Sequence, residues 1–125
     1  MTRETVLVID DDRLVLDRAK SALEKVGCTV VVSASPGLPD GVDPAGIDLV
    51  LLDVNMPDYF GDDLAQVLPD LGVKAPIYLY SSIEEAKLRE IAHAAGVAGA
   101  INKQLTFTQM AEEVLAILAS RGSSA

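Results

Sequence analysis

Two runs of four apolar residues, each ending in aspartate, constrain this chain more than any other feature. Val6-Leu7-Val8-Ile9 runs into Asp10 and Asp11, and Leu49-Val50-Leu51-Leu52 runs into Asp53. Uninterrupted apolar runs of this length suit strands buried on both faces of a parallel sheet. In open parallel sheets, ligands bind beyond the carboxyl ends of the strands, where the strand order reverses. Two such ends would bring three carboxylates into one crevice. At roughly 4 Å, two like charges repel by about 4 kcal/mol at an effective dielectric near 20. A divalent cation with oxygen ligands relieves that repulsion and is the expected occupant.

The remaining chain alternates strand and helix patterns. Residues 5–10 read as the first strand. Leu14, Leu16, Ala19, Ala22, Leu23 and Val26 mark one face of a helix over 13–26, which Gly27 stops. Residues 28–33 read as a second strand and 48–53 as a third. Between them, Pro36, Gly37, Pro39, Gly41, Pro44 and Gly46 oppose a regular helix, so 35–47 reads as a loop with at most one short turn. Leu64, Val67, Leu68 and Leu71 suggest a short helix disturbed by Pro69. Ile77–Tyr80 reads as a fourth strand, and Val97–Asn102 as a weaker fifth. Ser82 with Glu85 fits a capping box that opens a helix running to Ala95, with Gly96 as its stop. Thr106 with Gln109 fits a second capping box, before a helix carrying Met110, Val114, Leu115, Ile117 and Leu118. The predicted fold is α/β: a doubly wound, five-stranded parallel sheet of flavodoxin-like order 2-1-3-4-5 with an irregular second helix region. Residues 1–120 are the expected domain and 121–125 a flexible tail.

Composition narrows the function. At 125 residues the chain has the size of one domain. Its formal net charge of −9 argues against nucleic acid or an anionic membrane as partner. One cysteine, Cys28, excludes an internal disulfide and reads as a plain buried thiol. The N-terminus does not read as a signal peptide, and no apolar run approaches a membrane span, so a cytoplasmic location is expected.

Two further polar residues belong at the same sheet edge: Ser81 after the fourth strand and Lys103 after the fifth. Carboxylates, a hydroxyl and an ammonium at four strand ends suit phosphoryl transfer. A carboxylate can itself be the nucleophile, and Asp53, ending the central run, is the best placed.

Val-Leu-Val-Ile-Asp-Asp-Asp at 6–12, Asp-Leu-Val-Leu-Leu-Asp-Val-Asn-Met-Pro at 48–57, Ser81 and Lys103 resemble the bacterial response-regulator receiver domain of two-component systems. The resemblance implies Asp53 as phosphoacceptor. It implies Mg²⁺ (or Mn²⁺) held by the Asp11 and Asp53 side chains and the Asn55 carbonyl, with Asp10 completing the acidic pocket. Ser81 would be the switch hydroxyl and Lys103 the phosphate-pairing ammonium. Gly61 matches the glycine that opens the family's third helix region. The implied donor is a histidine kinase or histidine phosphotransfer protein, with a downstream protein reading the state. Phosphorylation and hydrolysis would be self-catalysed, without metabolic enzyme activity.

Three departures stand out. The family's aromatic three residues before the lysine is Ala100, the proline after the lysine is Gln104, and Pro36–Gly46 replaces a regular second helix. They motivate an alternative, a pseudo-receiver interaction module regulated without phosphorylation. A flavin-binding relative on the same topology is disfavoured, because the acidic run after the first strand would repel a phosphate. Asp12 reads as a helix cap, His93 as a surface or half-buried residue, Tyr78 and Tyr80 as packing residues, and Tyr59-Phe60 as part of a packed loop. With no output domain after the last helix, the chain reads as a stand-alone receiver or one domain of a longer protein.

Overall fold

The first apolar run forms β1 (Thr5–Ile9), which lies between two parallel neighbours, β2 (Thr29–Ser33) and β3 (Leu49–Leu52). β4 (Ile77–Ser81) pairs in parallel with β3, and β5 (Gly99–Asn102) with β4, giving the order β2-β1-β3-β4-β5. Among the described residues, three long helices flank the sheet: α1 (Arg13–Lys25), α2 (Glu85–Ala95) and α3 (Phe107–Ser123). The computed structural model describes residues 4–34, 38–56, 59–60 and 68–123, with backbone alone for 55–56, 59–60 and 121–123.

Successive residues along each strand serve opposite layers. Val6, Val8, Leu49, Leu51, Tyr80 and Ile101 pack with Leu16, Ala19 and Leu23 of α1 and Met110, Val114 and Leu118 of α3. Leu7, Ile9, Val50, Leu52 and Leu79 pack with Leu88 and Ala92 of α2, and with Leu68 and Val73. This two-sided demand is why β1 and β3 are apolar without alternation. Each fully buried aliphatic side chain contributes about 1.5–3 kcal/mol through removal from water. Among the described residues, no helix is long and apolar enough to cross a membrane.

Of the expected helix starts, two hold and one fails. Asp12 caps α1, its Oδ1 accepting the Leu14 N–H at 2.9 Å. The Thr106 box forms reciprocally: Thr106 Oγ1 accepts from Gln109 N–H at 3.0 Å, and Gln109 Oε1 accepts from Thr106 N–H at 2.9 Å. The Ser82 box does not form. Helix α2 starts at Glu85, with Glu84 at the cap position and no side-chain cap bond. Ser81 Oγ takes the Ile83 N–H at 3.2 Å, and Asn102 Nδ2 donates to the Ile83 carbonyl at 2.9 Å. Those bonds hold residues 82–84 in a turn outside the helix.

Among the described residues between β2 and β3 lies a short 3₁₀ turn, Pro44–Gly46, whose Ala45 N–H is taken by Asp43 Oδ1 at 3.0 Å. Leu38, Val42 and Ile47 from this segment cover the sheet where a helix would otherwise lie. Residues 35–37 fall outside the described residues, as do 61–67, which include Gly61 and most of the disturbed helix. Its described end is a helical turn at 68–70 containing Pro69. Residues 55–56 and 59–60 form a small antiparallel pair.

Candidate functional site

The site grows from the reversal of strand order at β1. The chain leaves β1 toward β2 on one side, while β3 lies on the other, so the residues after β1 and β3 open into one crevice. Main-chain ladders carry both aspartates just past their strands: Asp10 N–H donates to the Ser33 carbonyl at 3.1 Å, and Asp53 N–H to the Ile9 carbonyl at 2.9 Å. Asp10 and Asp53 are buried, 1% and 4% exposed, while Asp11 is exposed. One oxygen from each of Asp10, Asp11 and Asp53 lies within 4.8 Å of the others.

Each buried acid has identifiable work. Asp10 Oδ1 accepts the Asp12 N–H at 2.9 Å, which turns the chain into α1. Asp10 Oδ2 accepts no hydrogen bond of good geometry. It is met instead by the ammonium of Lys103, whose Nζ lies 2.6 Å away and 3.6 Å from Asp53 Oδ1. Lys103 thus offsets the repulsion of two buried carboxylates from the far edge of the sheet. A buried carboxylate oxygen without a hydrogen bond, beside two further carboxylates, is a donor set suited to a hard divalent cation. Asn55 lies on the chain just beyond Asp53, where its backbone belongs to the small antiparallel pair.

Tyr80 forms the floor under the ammonium. Its ring is 2% exposed, and Lys103 Nζ sits 5.5 Å from the ring centroid, within cation–π range. Burial, and then the Asp10 charge, push its phenol up to about 12. Ser81, the last residue of β4, is 1% exposed. The Leu52–Leu79 pairing places it at the same sheet edge as Asp53. The Lys103 N–H donates to the Ser81 carbonyl at 2.8 Å, joining the ends of β4 and β5.

The expected ionic set Asp10, Asp11, Asp53 and Lys103 is therefore assembled, with Ser81 at the same edge. Residues read as bystanders stay so. His93 is exposed on α2, and Cys28 is buried, with desolvation raising its thiol pKa. Tyr80 packs, as expected, but its place beneath Lys103 was not legible. Asn102 was missed altogether; an amide directly before the lysine was the available signal.

Comparison with known proteins agrees with this geometry. Residues 6–115 match the model of the response regulator receiver domain. The chain is 35% identical to the response regulator protein TodT of Pseudomonas putida over 78 residues, 61% of this chain and 34% of that protein. It thus spans much less than two thirds of that curated relative's length. A CheY-like response regulator receiver domain protein from Methanospirillum hungatei superposes with a TM-score of 0.78, at 20% identity, over 99% of this chain and 100% of that one. A response regulator receiver protein from Burkholderia phymatum gives 0.76 at 27% identity, over 94% and 96%. By its sequence match and its strand order, this chain belongs to the response regulator receiver domain family.

Proposed function

We propose that this chain accepts a phosphoryl group on Asp53 and changes its affinity for a partner protein when it does so. Receiver domains are phosphorylated by histidine kinases or phosphotransfer proteins, and that donor class is assigned here. The observation that carries the reading is the Lys103 ammonium between buried Asp10 and Asp53, beside a third carboxylate.

An Asp53 carboxylate oxygen attacks the phosphorus of a phosphohistidine. The new P–O bond forms as the P–N bond breaks, and the electron pair leaves on the imidazole nitrogen. Mg²⁺ (or Mn²⁺), when bound, neutralises phosphate oxygens; Asp10, Asp11, Asp53 and the Asn55 carbonyl are the residues that would hold it. Lys103 pairs with a phosphate oxygen, moving little from its place near Asp53. The Ser81 hydroxyl accepts the Ile83 N–H and retains its own proton to donate to the phosphate. Water later hydrolyses the acyl phosphate and regenerates Asp53, so the only chemistry is self-directed. The activity belongs to the cytoplasm, where such donors act.

The test is intact mass after treatment with a small acyl phosphate and Mg²⁺. The wild type should gain one phosphoryl group and Asp53→Ala none. A wild-type protein that stays unmodified would support the pseudo-receiver alternative instead.

A further inference from the structure

Asn102, the last residue of β5, stands between the two side chains that the proposed reaction draws from this edge. It pairs in register with Ser81 across the β4–β5 ladder and directly precedes Lys103. Both ends of its half-buried amide are used. Nδ2 donates to the Ile83 carbonyl at 2.9 Å, and Oδ1 accepts the Gln104 N–H at 2.8 Å. The partners settle which atom is which: a flipped amide would set NH₂ against N–H and oxygen against carbonyl. Ile83 in turn donates its N–H to Ser81 Oγ at 3.2 Å, and the Lys103 N–H donates to the Ser81 carbonyl at 2.8 Å. The result is a closed circuit through Ser81, Ile83, Asn102 and Lys103.

We infer that Asn102 is a positioning residue that holds the Ser81 loop and the Lys103 turn as one unit. This rests on the phosphotransfer reading for its consequence, though not for its geometry. Neither side-chain bond is needed to build the sheet, whose β4–β5 ladder is complete through Ser81 and Asn102. The two segments they join have little regular structure of their own, since α2 begins only at Glu85 and α3 at Phe107. One amide therefore sets where the hydroxyl and the ammonium sit relative to each other. Misplacing a reacting group by about 1 Å can slow a reaction about 100-fold, so such a link has leverage on the reaction. It also explains Gln104: the residue after Lys103 must present an N–H to Oδ1, and proline has none.

Two variants separate the bonds. Asn102→Ala removes both. Asn102→Asp keeps an acceptor for the Gln104 N–H but sets a carboxylate oxygen against the Ile83 carbonyl. Amide exchange on the full chain, without phosphodonor, should quicken about five-fold, the worth of one net hydrogen bond. In Asn102→Ala the change should cover residues 82–84 and 104–105; in Asn102→Asp it should be confined to 82–84. Labelling of Asn102→Ala by acyl phosphate with Mg²⁺ should slow about ten-fold in its maximal rate, with the half-saturating donor concentration little changed. Unchanged loops, loosening spread evenly over β4 and β5, or loosened loops with an unchanged labelling rate would each overturn the assignment. If Asn102→Ala does not fold, the exchange pattern of Asn102→Asp decides. A wild type that takes no phosphate defeats the phosphotransfer reading, and the exchange patterns then decide the link alone.

Discussion

At the residue scale, the site is a balance of charges that Lys103 holds together. Asp10 is 1% exposed and its Oδ2 faces the ammonium at 2.6 Å, so removing that cation strands a buried anion. Lys103→Met should lower metal-free stability by about 2 kcal/mol, measured by urea unfolding. Asp10→Asn in the same background should recover part of the loss, because one of the two buried carboxylates that Lys103 met is then neutral. Asp53→Asn should abolish labelling by acyl phosphate, since an amide is a poor nucleophile; phosphate undiminished on that variant would remove Asp53 from its role. Tyr80 adds a pH dependence. Its phenol, raised to about 12 by burial and by Asp10, ionises less readily folded than unfolded. The folded state therefore binds the proton more tightly. The resulting stability is fully present below about pH 10 and is lost as pH rises towards 12. Tyr80→Phe should flatten the loss of unfolding free energy between those values, and an identical slope in both proteins would discount the phenol.

At the element scale, the response to phosphate depends on which strand ends and loops can move. In the family pattern an aromatic on the fifth strand turns inward as the switch hydroxyl moves; here that position is Ala100, which has no ring. Tyr80 does not replace it, because it packs in the α1/α3 layer whereas Ala100 faces the layer of α2. A ligand shifts an equilibrium only through differential interaction with the two states. A phosphate mimic on Asp53 should therefore change amide exchange mainly in the segments that follow β3 and β4, at 54–56 and 81–84. A large change confined to 97–120, with those loops silent, would contradict this. The two capping boxes teach the same lesson about elements. Both have the right residues at the right spacing, but only Thr106–Gln109 closes. At the other, Ser81 and Asn102 hold Ile83 in a turn that keeps Ser82 outside the helix.

At the scale of the whole molecule, the proposed metal binding would be linked to folding. Three clustered carboxylates in a chain of net charge −9 repel one another, a repulsion that Lys103 offsets in part and a bound cation would relieve further. Mg²⁺ at about 100 times its dissociation constant should raise the unfolding free energy by about 2.7 kcal/mol. Asp11→Asn removes one ligand charge, so the Mg²⁺-dependent gain should shrink, while metal-free stability stays level or rises through relief of repulsion. Thermal unfolding with and without Mg²⁺ measures both. A marked metal-free loss with the Mg²⁺ gain intact would make Asp11 a structural cap instead.

Much of this architecture was legible in local patterns. Val6–Ile9 and Leu49–Leu52 are apolar without alternation because both sheet faces are covered, and that alone implies a parallel sheet with helices on each side. The right-handed rule for crossovers then sets the strand order, and with it the edge to which Asp10, Asp11, Asp53, Ser81 and Lys103 must come. The proline- and glycine-rich stretch announced that the described part of the β2–β3 connection, residues 38–48, would hold no α-helix. What only the tertiary structure decided is how residues distant in the chain share their bonds. Lys103 reaches across to Asp10, Tyr80 lies beneath it, and Asn102 ties Ile83 to Gln104, while α2 starts only at Glu85. Helix and strand patterns are set by neighbours a few residues apart, whereas these contacts depend on which side chains the packed sheet brings within about 3 Å, the range over which hydrogen bonds act.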